Sequence, residues 1–137
     1  MRIDFHHVGI SVPDLDAALA WYERVLGFTL EKRFLLPRIQ SDTAFIRRGP
    51  LRVELFAIPH AAPLPPERSD PLTDPLTHGT KHVGFSVDDL DAFLAEMEGH
   101  GVDIAIVARN SPAGFDACYI RDCAGNLLEF VEQPPCA

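Results

Sequence analysis

Two histidines and two glutamates are the residues of this chain best suited to chemistry, because they occur as a repeated pair. His7 and Glu54 are separated by the same distance in sequence as His82 and Glu129, and the second pair lies seventy-five residues after the first. Imidazole nitrogen and carboxylate oxygen are both ligands for divalent first-row ions, and two of each make a protein ligand set for one cation. Glu54 stands in Leu51-Arg52-Val53-Glu54-Leu55-Phe56-Ala57-Ile58 and Glu129 in Leu127-Leu128-Glu129-Phe130-Val131, stretches largely apolar on both faces of a strand. A carboxylate there is costly to bury unless it is paired or coordinates a cation. An outward-facing residue of an edge strand would explain one such glutamate. It is the doubling, each glutamate matched by a histidine, that favours a shared ion.

The pairs belong to a longer internal repeat. From His7 to Ala20, eleven of fourteen residues are identical to those from His82 to Ala95, and the same ungapped offset lays Pro59 over Pro134. Two halves related by a pseudo-twofold would bring one histidine and one glutamate from each to a common place. His6 is the local rival to His7, but Lys81 stands at its repeat position and alternation groups it with Val8 and Ile10, so His7 is the ligand candidate. His60, His78 and His100 fall in the connector or at a helix end, where solvated histidines are expected. Gly9 and Gly84, two residues after the histidines, leave strand positions without a side chain where a ligand or backbone must come close.

The elements that must carry these residues follow from periodicity. Asp4 to Val12 alternates with a period of two, which predicts a strand with His7 facing away from Val8, Ile10 and Val12. Pro13 stops it, Asp14 caps a helix, and Leu15, Ala18, Leu19, Tyr22 and Leu26 recur at helical spacing until Gly27. Strands are predicted at Phe28 to Leu36, Thr43 to Arg47 and Leu51 to Ile58. The first module, residues 1–58, is therefore β-α-β-β-β. Residues 59–79 hold six of the twelve prolines and form a connector that either wraps the body or partly covers the site. The second module, residues 80–137, repeats the order: a strand at Lys81 to Val87, a helix from Asp89 to about Glu98, a stop at Gly101, and strands at Ile104 to Ala108, Phe115 to Arg121 and Leu127 to Glu132. A turn at Asp122 to Asn126 precedes the last strand, and Pro134-Pro135 ends the ordered chain. The whole, residues 1–137, is expected to be a single domain.

Composition narrows the partner. Twenty acids against twelve bases give a net charge of −8, with Lys and Arg scattered, so the footprint of a nucleic-acid binder is missing. No apolar run approaches the roughly twenty residues of a membrane helix, and the start shows no signal-peptide core. A cytoplasmic protein acting on a small molecule is expected. Cys118, Cys123 and Cys136 have no metal spacing and read as reduced thiols without a catalytic role.

The doubled His-Val-Gly-hydrophobic-Ser-Val, the Asp-Leu-Asp-Ala helix starts, the Val-Glu-Leu-Phe strand and the Asp-x-x-Gly-Asn-Leu-Leu-Glu-Phe ending resemble the vicinal oxygen chelate superfamily. That group includes glyoxalase I, methylmalonyl-CoA epimerase, extradiol dioxygenases, and fosfomycin- and bleomycin-resistance proteins. The resemblance spans the chain except its connector. It implies an α+β fold of two tandem β-α-β-β-β modules, whose curved mixed sheets enclose a metal site commonly completed by a homodimer. Carried over by position, the metal ligands are His7, Glu54, His82 and Glu129.

Within that group the second carboxylate, Glu54, is informative. Dioxygenases and fosfomycin-type enzymes use three ligands and bleomycin-type binding proteins generally lack them, so four look more like glyoxalase I or the epimerase. The first strand lacks the His-Thr-Met-x-Arg-Val pattern usual in glyoxalase I, and the first module is closer to the epimerase. The expected function is that of a divalent-metal-dependent lyase or isomerase (Zn, Ni, Co, Mn or Fe) acting on a substrate with vicinal oxygens. It would abstract a proton next to a metal-bound carbonyl, with Glu129 as base and Glu54 as its partner on the opposite face. An Fe(II) extradiol-type dioxygenase and a small-molecule-binding resistance protein are the alternatives. Phe34, Phe45, Phe115 and Tyr119 are candidates for lining or backing the cavity. Arg33, Arg47, Arg48, Arg109 and Arg121 read as solvated surface arginines.

Overall fold

A computed structural model describes residues 1–133. The expected stop at Pro134-Pro135, and Cys136, lie outside the described residues. The chain divides into two compact units, one over Met1–Pro63 and one from Leu64 onward. In the first unit β1 (Val8–Ser11) leads into α1 (Leu15–Leu26), β2 (Thr29–Leu36), β3 (Ser41–Arg48) and β4 (Leu51–Ala57). Its four strands are ordered β1-β4-β3-β2, with β1 parallel to β4 and the other neighbours antiparallel. The second unit repeats this with β5 (Val83–Val87), α2 (Leu90–Gly99), β6 (Ile104–Ala108), β7 (Ala117–Arg121) and β8 (Leu127–Glu132), in the order β5-β8-β7-β6. The tandem β-α-β-β-β modules are thus as expected.

Each helix begins on a side-chain cap. The Asp14 carboxylate accepts from the Ala17 amide at 3.0 Å, and the Asp89 carboxylate accepts from that of Ala92 at 2.9 Å. Gly27, at φ 68°, closes α1 in the left-handed conformation that glycine takes without penalty. Leu15, Ala18, Tyr22, Val25 and Leu26 form the buried stripe of α1, and Ala44, Ile46, Val53 and Leu55 form the buried sheet face. Leu90, Met97, Cys118, Ile120 and Leu128 do the same in the second unit. Alternation therefore puts Glu54, between Val53 and Leu55, on the sheet face away from this core.

Several boundaries differ from the periodicity. β1 starts at Val8 and not Asp4, although the apolar alternation continues upstream. Val8 pairs with Val53, and β4 itself begins at Leu51 after the Gly49-Pro50 turn, so Asp4 and Phe5 have no strand to join. β5 likewise begins at Val83 and β7 at Ala117. His7 and His82 thus each occupy the residue immediately before a strand.

Part of the proline-rich connector is ordered into 3₁₀ turns at Pro66–Ser69 and Asp74–Leu76. Asp74 is 2% exposed and receives Arg68 Nε at 2.6 Å, while Lys81 Nζ donates to its backbone oxygen at 3.0 Å. Ser69 Oγ donates to the Gly125 carbonyl, and Arg121 Nε donates to that of Ser69. From Leu64 onward the connector is built into the second unit.

An ionic clasp recurs in both units. Arg33 on β2 bridges Asp16 in the first turn of α1, at 2.6 Å, and Asp42 on β3. Arg109 bridges Asp91 and Asp116 in the same way. Arg33 depresses the Asp42 carboxyl; that of Asp116 is depressed first by the Asn110 amide and then by Arg109. These two arginines are engaged with helix and sheet, not simply solvated as expected.

Candidate metal centre

Each unit brings its histidine and glutamate together. His7 Nε2 lies 3.5 Å from Glu54 Oε1, and His82 Nε2 lies 3.0 Å from Glu129 Oε2. The cause is register. Gly9 is the β1 partner of Glu54 and Gly84 the β5 partner of Glu129, so each glutamate emerges beside a glycine, on the face shared by the histidine two residues earlier. A side chain would crowd only the first of these two glycines. A Cβ at Gly9 would stand 2.9 Å from the Phe56 ring, and one at Gly84 would stand 3.6 Å from Glu129 Oε2.

On the antiparallel side the partners are aromatic: Phe45 opposes Glu54, and Tyr119 opposes Glu129. The hairpin between β7 and β8 is one residue longer than its counterpart, so Tyr119 matches Phe45 in space and not Ala44, as an unbroken seventy-five-residue offset requires. The extra residue is absorbed at the turn, where Asp122 accepts from the Ala124 and Asn126 amides, each at 2.9 Å. The two rings have the same task. Phe45 packs edge-on to His7 with centroids 5.1 Å apart, and Tyr119 packs edge-on to His82 at 4.9 Å. Only the second carries a hydroxyl, 3.5 Å from His82 Nε2. Burial, reinforced by the charge of Glu129 and a hydrogen bond to it, pushes the Tyr119 phenol up to about 12.

His6 is placed differently from its expected grouping with Val8 and Ile10. His6 lies two residues before the start of β1, and its ring packs edge-on against His7 with Nδ1 2.6 Å from His7 Nδ1. Arg52 Nη1 lies 3.0 Å from His6 Nε2 and holds Glu31 through two further bonds of 2.8 and 3.0 Å. Arg52 in turn keeps the Glu31 carboxyl below its usual range. No sequence signal marked this chain of contacts, because Lys81 breaks the repeat at His6.

Phe34 stacks at a tilt on Phe45, 5.6 Å between centroids, whereas Phe115 lies outside β7 and is exposed. Arg48 donates to the Leu26 carbonyl, Arg47 lies 3.5 Å from Glu31, and Arg121 binds Asp103. Cys118 is fully buried, and burial pushes its thiol up to about 11, which suits a packing role.

The donor chemistry fits a divalent ion. Two ligands about 2.1 Å from one cation stand about 3.0 to 3.4 Å apart at octahedral or tetrahedral angles, close to the spacing within each pair. The four side chains are 14 to 32% exposed, sheltered yet reachable. Among the described residues no group of three or more His, Cys, Asp or Glu side chains is gathered to hold an ion, and the contacts present are those of the two His–Glu pairs.

Comparison with known proteins identifies the family. The chain is 33% identical to the uncharacterized protein YaeR of Escherichia coli over 131 residues, covering 93% of this chain and 95% of that one. It is 28% identical over 137 residues to the human mitochondrial methylmalonyl-CoA epimerase, covering 93% and 72%. A glyoxalase family protein from Enterococcus faecalis superposes with a TM-score of 0.80 at 21% identity, covering 94% and 97%. Residues 4–130 match the family model described as the Glyoxalase/Bleomycin resistance protein/Dioxygenase superfamily, a stretch that includes both repeats and all four His and Glu positions, and the chain belongs to that superfamily.

Proposed function

We propose that the chain is a divalent-metal-dependent lyase or isomerase, of the glyoxalase I or epimerase kind, acting on a small substrate with neighbouring oxygens. The observation that carries this reading is the duplicated His–Glu pair, with donor spacings of 3.5 and 3.0 Å. His7, Glu54, His82 and Glu129 would hold one ion. When bound, it supplies a Lewis acid that polarises a carbonyl and lowers the acidity barrier of the adjacent C–H. Glu129 takes that proton and Glu54 serves the opposite face; delivery to the same carbon from that opposite face gives epimerisation, and delivery to the neighbouring atom gives isomerisation. Tyr119 donates to Glu129 and keeps its carboxylate aimed. The half-buried setting limits competing water. Likeness to the human epimerase supports a thioester with an acidic α-carbon as the first substrate to try.

The test is carbon deuteration followed by NMR in deuterated water, with methylmalonyl-CoA and 2-oxoaldehyde hemithioacetals as probes and metal content measured in parallel. Glu129→Gln should lose about 10²- to 10⁴-fold in exchange rate while still binding metal. Full exchange in that variant removes Glu129 from the mechanism. Equal exchange by chelator-treated and metal-loaded protein removes the ion.

A further inference from the structure

The two arms differ behind their histidines, and the difference fixes where protons reside. A guanidinium has donors only, so Arg52 Nη1, 3.0 Å from His6 Nε2, makes that nitrogen an acceptor. A neutral imidazole has one N–H, so His6 carries its proton on Nδ1, 2.6 Å from His7 Nδ1. His7 Nδ1 must then accept, and the single proton of His7 is left on Nε2, the nitrogen that faces Glu54. A metal takes the bare nitrogen. For Nε2 to become bare in neutral His7, its proton must move to Nδ1. That reverses the His6 contact and puts the His6 proton against Arg52. Glu31 opposes this by anchoring Arg52 through two bonds. The second arm has no such relay, because Lys81 stands in the place of His6 and its ammonium goes to Asp74.

We infer that Arg52 and His6 hold metal-free His7 with its proton on Nε2, latching the first arm against a cation until the Arg52–His6 contact opens. His6 and Arg52 are positioning residues, acting through His7. The inference rests on the metal-site reading above, but its first readout needs no metal.

Long-range proton–nitrogen NMR of chelator-treated full-length protein, at a pH where the imidazoles are neutral, reports which nitrogen carries each proton. His6→Phe and His7→Gln variants assign the signals. The expected result is His6 protonated on Nδ1, the less common form of free imidazole, and His7 on Nε2; Arg52→Leu should return His6 toward its Nε2-protonated form. His6 protonated on Nε2 in the unsubstituted chain overturns the relay. Zn²⁺ titration is the second readout. Because His6→Phe and Arg52→Leu release the latch, each should bind Zn²⁺ tighter, on the order of tenfold, the lower edge of effects from partners behind a ligand. Weaker binding in both makes His6 an ordinary support of the ligand and overturns the latch. If Zn²⁺ binds none of the proteins, the metal reading fails, while the NMR result still decides the relay.

Discussion

Tyr119 is the residue whose chemistry most separates the two arms. Its raised value means that the folded chain holds the phenolic proton more tightly than the unfolded chain does. The stability tied to that proton is complete below the usual tyrosine value near 10, and it is lost as pH rises through about 12. Alkaline titration of phenolate absorbance in chelator-treated protein should therefore show a step near pH 12 that Tyr119→Phe removes; a step at the ordinary value would mean that neither burial nor Glu129 holds the phenolic proton. The residues of the site were unequally legible. His7, Glu54, His82 and Glu129 could be read because duplication marks them twice. Tyr119 was visible only as an aromatic on a strand, since its match to Phe45 depends on a hairpin longer by one residue. His6 was misplaced because period-two alternation was carried past the end of β1.

At the scale of elements, the helices were the most legible parts. Asp14 and Asp89 cap through their own side chains, and Gly27 terminates by conformation, so local sequence determines these ends. Strand starts depend on a partner elsewhere in the chain, and β1, β5 and β7 all begin later than alternation predicts for that reason. The connector was the least legible element. Proline content hides Asp74, whose burial depends on Arg68 and Lys81 reaching it from either side. Asp74→Ala should destabilise the protein by about 2 kcal/mol, the range for hydrogen bonds to charged groups, lowering Tm by about 5 °C in a chain of this size. An unchanged melting curve would mean that the 3₁₀ turns are held by their prolines alone.

For the whole molecule, the proposal that both half-sets serve one ion has a numerical consequence. Protein purified without chelator should contain one divalent ion per chain, and His7→Gln with Glu54→Gln should weaken binding about as much as His82→Gln with Glu129→Gln. Two ions per chain, each abolished by only one double variant, would show that the arms work separately. Among the described residues no helix is long and apolar enough to cross a membrane, and both units carry the same strand order, the same aspartate N-caps and the same arginine clasp. Against that sameness, the difference between Phe45 and Tyr119 at matching positions has a further meaning. A half-length polypeptide that associates with its own copy must present one identical ring at both places, so any change is imposed twice. Covalent linkage of the copies lifts that constraint, and the chain can keep a greasy wall at one glutamate while placing a proton donor at the other.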